Sequence, residues 1–226
     1  IARLEAMLGD YRKQADGLTL TEEYRQMGLQ GGENFFLVPS DGGSFGAAVQ
    51  IDLSEGETGL YRYMLDTGPF ELLGQRFAGY FTTDTGTLTV VNYRKSPFGA
   101  GWGIDGYYEL YENLDGGGVL LVDGNGTESY FTPPQHAGDP WIGPTGDFSD
   151  LRQSADGSYY RIMPDGSRYV FREIPGEPAP GPGQPRVFRL TAFWDMHDNK
   201  TGFEYQDGKL ASITDAAGLA TTFTYG

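Results

Sequence analysis

Residues 190–205 read LTAFWDMHDNKTGFEY, and residues 210–225 read LASITDAAGLATTFTY. The two stretches form an internal repeat with a period of 20 residues, from Leu190 to Leu210. The matched positions are Leu190 and Leu210, Phe193 and Ile213, Asp195 and Asp215, Thr201 and Thr221, Phe203 and Phe223, and Tyr205 and Tyr225. A strand pair of this length cannot bury its aromatic face alone, so the repeat predicts hairpins that stack on one another.

Aspartate–glycine and asparagine–glycine pairs divide the preceding stretch into further hairpins. Such pairs favour two-residue type I′ turns, because both central residues of that turn need a positive φ. The pairs are Asn125-Gly126, Asp156-Gly157, Asp165-Gly166 and, between the two repeat units, Asp207-Gly208. Turns of this type predict that the following residues face each other: Leu120 and Phe131, Leu151 and Ile162, Ile162 and Tyr169, and Tyr160 and Phe171.

The first part of the chain is organised differently. Residues 1–34 contain short apolar patterns at helical spacing, which predict a partly helical connector. In residues 35–95 apolar and polar residues alternate in short runs between turn clusters, which predicts an immunoglobulin-like β-sandwich. Residues 96–226 follow as the β-hairpin region. We therefore expect an all-β protein with less than about 10% helix, confined to residues 1–30.

Composition limits the partners and the chemistry. The 226 residues carry a net charge of −15 with only 16 Lys and Arg, so a nucleic-acid partner is not expected. No apolar run approaches the length of a membrane helix, so membrane insertion is not expected either. The chain has no cysteine, which excludes disulfides and thiolate metal sites. Two proline-rich segments, residues 133–146 and 174–185, are predicted to be irregular, and the second to be an exposed loop.

Three ordered groups of motifs resemble the RHS/YD-repeat family. They are NYRKSPFGAGW at 92–102, then GDFSDL at 146–151 with ADGSY at 155–159 and DGSRYVF at 165–171, and finally GKLASITD at 208–215 with TTFTY at 221–225. The first is similar to the signature at the entry of RHS regions, and the last is similar to a YD repeat. The resemblance covers residues 87–226, which makes this chain similar to the N-terminal entry of a repeat shell.

The resemblance implies a structural role. Later repeats of such proteins spiral into a hollow β-shell, which in bacterial toxin members encloses a C-terminal effector. The chain would be a non-enzymatic module that starts or caps the shell, and its partners would be the remaining repeats and the effector of the same polypeptide. A secreted or cell-surface location, in a bacterium, is implied as well. The family's self-cleavage signature belongs to a segment far downstream, so no cleavage residue is assigned.

Two glycine-rich motifs could suggest catalysis or phosphate binding. GGSFG at 42–46 fits the nucleophile elbow of hydrolases, but the residues after Ser44 alternate as in a strand, where that motif needs a helix. GAGWG at 99–103 lacks the helix that follows a phosphate-binding loop. We expect a hairpin turn at the first motif. At the second we expect a tight bend in which Trp102 is buried and important for folding.

Metal-binding patterns are also incomplete. Asp123–Glu128 resembles the start of a calcium loop, but Glu128 stands where that loop requires glycine. Asp195–Asn199 is similar, and both are expected to be turns. His136 and His197 are 61 residues apart in the sequence. The sequence therefore predicts no catalytic, cofactor-binding or metal-binding residue, and no cofactor.

Two other functions remain as alternatives. A cell-surface adhesin or carbohydrate-binding module would use exposed aromatic platforms near Tyr107, Tyr108 and Trp141, with a surface protein or glycan as partner. A hydrolase would be centred on Ser44. The second repeat unit has no successor in the sequence, so we expect Phe223 and Tyr225 to lack the next hairpin to pack against, at an unpaired sheet edge.

Overall fold

The computed structural model describes residues 56–67, 70–71, 76–77, 82–112, 117–136, 138–177, 180–181 and 184–225. The protein is all-β in this part, with 47% of residues in strands and 2% helical, which confirms the predicted class. The one helical segment there is a 3-10 turn at Tyr93–Lys95, beyond the range where helix was predicted. The predicted helical connector, Ser44 and much of the predicted sandwich over residues 35–95 lie outside the described residues.

The chain divides into two compact units. Tyr61–Leu88 belong to the first, whereas Gly56–Leu60 and the chain from Thr89 onward form the second. The first four strands are β1 (Gly59–Thr67), β2 (Phe70–Glu71), β3 (Arg76–Phe77) and β4 (Thr82–Val90). β1 pairs with β4, and β2 pairs with β3 in an antiparallel ladder.

A ten-stranded antiparallel sheet makes up the second unit. Its strands are β5 (Tyr108–Glu112), β6 (Val119–Asp123), β7 (Glu128–Phe131), β8 (Asp150–Gln153), β9 (Tyr159–Ile162), β10 (Arg168–Arg172), β11 (Arg186–Trp194), β12 (Lys200–Gln206), β13 (Lys209–Thr214) and β14 (Ala220–Thr222). The sheet branches at β11. Arg186–Arg189 pair with β5 and Ala192–Trp194 pair with β12 along one edge, while β10 occupies the other edge.

Part of this sheet closes on itself. β5, β6 and β7 follow β11 on one side, and β10, β9 and β8 follow it on the other. Two bridges join the ends of these arms, Thr132 with Ile142 and Trp141 with Leu151. Backbone hydrogen bonds therefore run around a closed ring from β11 back to β11. Strands β12, β13 and β14 extend from β11 as a ladder outside the ring.

Each ring strand sends side chains into a common core. The buried residues of this core are Tyr107, Leu110, Val119, Leu121, Phe131, Leu151, Tyr159, Phe171, Phe188 and Leu190. A second cluster of Tyr111, Leu120 and Val122 lies on the other face of β5 and β6, against Val91, Tyr130 and Val187. Because both faces of β6 are covered, four consecutive residues, Val119–Val122, are buried.

Most Asx–Gly turns differ from the predicted type. Only Asp207-Gly208 is a two-residue type I′ turn among the four predicted ones, with φ of 52° and 73° and Gln206 opposite Lys209. The other three are three-residue loops, in which a type I turn is followed by a glycine in the left-handed region. Those glycines are Gly126, Gly157 and Gly166, with φ of 93°, 84° and 88°.

Side-chain hydrogen bonds account for this choice of loop. Asp156 Oδ1 accepts from the backbone N–H of Ser158 at 3.0 Å and from its hydroxyl at 2.6 Å. Asp165 and Ser167 make the same two bonds, at 2.9 and 2.7 Å. An Asx side chain that bonds a backbone N–H two residues later stabilises its own turn geometry. Asp207-Gly208 is followed by Lys209, which offers no such hydroxyl.

The extra loop residue shifts every predicted register by one. Arg161 faces Tyr169 and Leu151, and Tyr160 faces Val170. Phe131 likewise faces Val119, so the four predicted facing pairs are wrong. Since a one-residue shift exchanges the two faces of a strand, Tyr159 and Arg161 of β9 point inward, whereas Tyr160 and Ile162 are half-buried on the outer face.

Hydrogen bonds and aromatic rings compensate the positive charge of the buried Arg161 side chain. Its Nη2 donates to Asp147 at 2.9 Å and its Nε donates to the Ser149 hydroxyl at 2.7 Å. The guanidinium also lies over the rings of Tyr108 and Phe131, at 5.8 and 5.9 Å from their centroids. Contacts of this kind are what a buried arginine requires. The segment 133–146, predicted to be irregular, takes part as well, because Trp141 and Ile142 complete the ring.

A pair of glycine substitutions tests the loop geometry. Gly166→Ala should lower the free energy of unfolding by about 1–2 kcal/mol, because an L-residue is strained in the left-handed region. Gly202 in β12 has no positive φ, and an added Cβ meets nothing within 4 Å at either position. Gly202→Ala should therefore be neutral or stabilise by about 0.5 kcal/mol. Chemical denaturation measures both, and equal midpoints would contradict the three-residue loop at Gly166.

Candidate functional site

The two repeat units share one geometry. Leu190 and Leu210 are both buried. The Tyr205 hydroxyl donates to the Leu190 carbonyl at 2.5 Å, and the Tyr225 hydroxyl lies 2.8 Å from the Leu210 carbonyl. Each tyrosine therefore ties the end of its unit to the leucine 15 residues earlier, and the sequence period of 20 is also a structural period.

The turns inside the units repeat too. Asp195 Oδ1 accepts the backbone N–H groups of His197 and Asn199, at 2.8 and 2.9 Å. Asp215 Oδ1 accepts those of Ala217 and Leu219, at 2.9 and 2.8 Å. The first aspartate of each turn is thus a backbone cap. Its carboxylate is engaged in holding the turn, which agrees with the prediction that Asp195–Asn199 is a turn.

A segment upstream of β5 lies against both units. The Pro97 carbonyl accepts the backbone N–H of Leu210 at 3.1 Å and is 2.8 Å from the Tyr225 hydroxyl. The Phe98 ring packs edge-on against Tyr107 at 4.8 Å and against Phe223 at 6.4 Å between centroids. We call Pro97, Phe98 and Tyr107 the seat of the repeat units.

Tyr107 is the residue of the seat that contacts the first repeat unit, residues 190–205. Its ring packs against Phe203 at 6.0 Å, and its hydroxyl lies 2.6 Å from the Tyr205 hydroxyl. Because the Tyr205 hydroxyl donates to Leu190, Tyr107 is the donor in the hydroxyl pair. Burial raises the pKa of Tyr107 well above its ordinary value, and the Tyr205 charge contributes. Both phenols are therefore neutral hydrogen-bonding groups at physiological pH.

These contacts cover part of the second repeat unit, for which the sequence offered no following hairpin. Phe223 and Tyr225 do have packing partners, since Phe98 and Pro97 cover them and Lys209 lies over the Tyr225 ring at 4.9 Å. The expectation of an edge holds in part. β14 pairs with β13 on one side, and the strand order of the described sheet ends there.

Local chemistry fixes the seat in place. Asn92 caps the 3-10 turn Tyr93–Lys95 by accepting the Arg94 N–H at 3.0 Å. The Tyr93 carbonyl then accepts the N–H groups of Ser96 and Gly101, at 3.1 and 2.9 Å. Further along, a Cβ on Gly103 would lie 2.0 Å from the Gly124 carbonyl oxygen. Glycine is therefore needed at residue 103 for backbone contact.

Trp102 is not buried, contrary to prediction. Its side chain is 71% exposed, although it stands between two glycines of the expected tight bend. Glycine allows close contact here between the backbones of Gly103 and Gly124, and the neighbouring tryptophan ring takes no part in it. The buried aromatic residue of this region is Tyr107, with Phe98 half-buried beside it.

Charged groups form a separate buried cluster beside the seat. Arg189 of β11 contacts Glu109 of β5 through Nη1, and both side chains are nearly inaccessible, at 6% and 5% exposed. Arg189 Nε donates to Glu177 at 2.8 Å, and the Tyr111 hydroxyl donates to Glu109 at 3.0 Å. These carboxylates are engaged by the guanidinium and screened from solvent, so the geometry does not favour general acid–base catalysis on a substrate.

The histidines and the acidic residues of the incomplete metal-binding patterns do not form one site. His136 is exposed and 3.3 Å from Asp139, and His197 lies in the exposed turn between β11 and β12. Asp123 and Asn125 bond the backbone N–H groups of Gly106 and Thr127, at 2.9 and 2.8 Å, as expected of a turn. The described residues contain no group of three or more His, Cys, Asp or Glu suited to a metal ion.

The predicted aromatic platforms are not exposed. Tyr107 is buried in the core, and Tyr108 and Trp141 are half-buried against it. Trp141 packs against Tyr159 at 5.8 Å, and Tyr108 packs against Tyr169 at 5.2 Å. These three residues therefore stabilise the ring. The large exposed aromatic residues in the described ranges are Trp102 and Phe148.

One tryptophan and one phenylalanine truncation test which aromatic residues are exposed and which belong to the core. Trp102→Ala should change the free energy of unfolding by less than about 0.5 kcal/mol, because an exposed ring loses little on truncation. Phe131→Ala, at a core position with 0% exposure, should cost about 3–5 kcal/mol. Urea denaturation compares the two, and a large loss for Trp102→Ala would contradict its exposed position.

Comparison with known proteins leaves the assignment to the structure itself. Among the described residues, no helix has the length and apolar character needed to span a bilayer. No protein-family model matches the chain, and no curated protein matches it.

Proposed function

We propose that the chain is a non-enzymatic structural module on which hairpin repeats of the RHS/YD type are assembled. The observation that carries the proposal is the seat, because one short segment contacts both repeat units through equivalent groups. Pro97 engages Leu210 and Tyr225, and Tyr107 engages Tyr205. A segment of this kind sets the register of the first two units, and further units can then stack on them.

The closed ring supports the same proposal. Its strands bury their inner apolar face in one common core, and Phe203 and Tyr205 of the first repeat unit pack against that core. The ladder β12–β14 is less covered, since Ala220–Thr222 are all exposed. A well-covered end joined to a less covered ladder is what a terminal module of a repeat array requires. Enclosure of a C-terminal effector, and secretion or cell-surface display, belong to the proposal through the resemblance of residues 92–102 and 208–225 to that family.

An exposed ring favours a second candidate function. Trp102 could act as a platform for a sugar ring, in place of the three residues expected from the sequence. Binding to a glycan array that is lost in Trp102→Ala and retained in Phe148→Ala would support this adhesin function. An array without a Trp102-dependent ligand would count against it.

Hydrogen exchange tests the assembly role. In the isolated chain, β14 should exchange faster than β9 and β10, because an uncapped terminal unit opens first. A second version carries one additional copy of residues 206–225 after Tyr225. If repeats stack as proposed, the amides of β14 should exchange more slowly in the extended protein.

Phe98→Ala tests the seat itself, with Trp102→Ala as the matched control in the same segment. Phe98→Ala should speed exchange in β12–β14 more than in β8–β10, because the hydrogen bonds and ring contacts that join the seat to these strands go to the repeat units. Trp102→Ala should change neither. Unchanged protection of β12–β14 in Phe98→Ala, or no slowing in the extended protein, would overturn the proposal.

A further inference from the structure

The connection from β10 to β11 begins with a tight turn whose last side chain points inward. Glu177 closes the turn by donating its backbone N–H to the Ile174 carbonyl at 3.3 Å. Pro175 and Gly176 are exposed, as predicted for the proline-rich segment. Glu177 is different, because its side chain is only 17% exposed and accepts from Arg189 Nε at 2.8 Å. The prediction of an exposed loop is therefore wrong at this residue.

Glu177 completes a cluster that has more negative than positive charge. Arg189 is already paired with Glu109, whose second oxygen accepts from the Tyr111 hydroxyl. Arg189 Nη2 lies 3.4 Å from the Lys95 carbonyl. If both carboxylates are ionised, a single guanidinium must compensate two buried negative charges. One excess charge at low solvent exposure is unfavourable, and protonation of one carboxylate removes it.

Within the described part of the chain, the surrounding groups do not supply a second cation. Tyr205 of β12 supplies a phenol. Gly208 lies close to Glu177, since a Cβ added at Gly208 would be 3.5 Å from Glu177 Cγ. The charged residues next to Gly208 are Asp207 and Lys209. Lys209 lies over the Tyr225 ring, and the Lys95 ammonium is paired with Glu57 at 2.7 Å.

On its own turn, Glu177 is preceded by Glu173, which is paired with Arg186. Burial raises the pKa of Glu177 from 4.5 to about 7, and the charge of Glu173 adds to the effect.

We propose that Glu177, Arg189 and Glu109 form a proton-sensitive clamp, which holds the turn Ile174–Glu177 against β11 more firmly when Glu177 is neutral. When the turn detaches, Arg189 keeps Glu109 as a one-to-one partner, and Glu177 returns to water with its ordinary pKa. The stabilisation that the clamp contributes is therefore complete below about pH 4.5 and is lost as the pH rises through about 7. The clamp therefore makes the stability of the contact between this turn and β11 depend on pH.

The Arg189 Nε–H group reports directly on the clamp. Its exchange with solvent, measured by nitrogen-15 NMR and corrected for the intrinsic pH dependence of exchange, should show protection on the order of tenfold greater at about pH 5.5 than at about pH 8.5. Glu177→Gln replaces the carboxylate by a neutral isostere, so its protection should stay high and change little between the two conditions. Glu173→Gln is the matched control at the residue before the turn, and it should retain most of the pH dependence of the wild type.

The outcomes separate the clamp from a passive contact. Equal corrected protection of wild type at both pH values would overturn the proposal, and so would pH dependence that persists in Glu177→Gln. Glu177→Ala should reduce the protection at both pH values, whereas the amides of β8–β10 should remain protected, which shows that the fold is intact. The clamp does not depend on the seat, so these results are independent of the assembly experiments.

Discussion

Strand β11 pairs along both of its edges, and the rest of the ten-stranded sheet depends on these pairings. Residues 186–189 close the ring through β5, and residues 192–194 begin the ladder through β12, while β10 pairs along the opposite edge. Phe188 and Leu190 enter the core on either side of Arg189, which faces the buried carboxylates. A shift of one residue in this strand would place the guanidinium in the apolar core and expel two large side chains. The register of β11 is therefore fixed from both faces.

Much of the architecture could be predicted from periodicity. Alternation of apolar residues indicated an all-β protein, and the matched positions of residues 190–225 correspond to equivalent hydrogen bonds in space. The register of β9 and β10 could not be obtained from Asp-Gly pairs alone, because the loop type depends on the next residue. Ser158 and Ser167 bond the preceding aspartate and add one residue to the loop, whereas Lys209 does not. An Asx-Gly-Ser/Thr pattern was the local feature that could have corrected the prediction.

The site was less accessible to sequence reasoning. The motif that contains Pro97 and Phe98 was recognised, but the tryptophan in it was given the structural role that Tyr107 has. Contacts between residue 97 and residue 225 join positions 128 apart, and no local pattern encodes them. Arg189 and Glu109 were missed for a similar reason, since each is a charged residue flanked by apolar or aromatic residues within a strand. A charged residue flanked by Phe188 and Leu190 was the available sign that a partner must be supplied from elsewhere in the chain.

Closure of the ring makes the ring and the ladder of the second compact unit unequal in their capacity to pair with a further strand. Strands β5, β6, β9, β10 and β11 are paired on both edges, and the isolated bridges of Thr132 with Ile142 and Trp141 with Leu151 complete the circuit between β7 and β8. At those five strands a further strand could be added only if existing backbone hydrogen bonds were broken first. Within the described sheet, β14 is paired on one side and can accept a strand without such a loss. A strand added beside β14 would therefore lengthen the ladder and leave the backbone pairing of the ring intact.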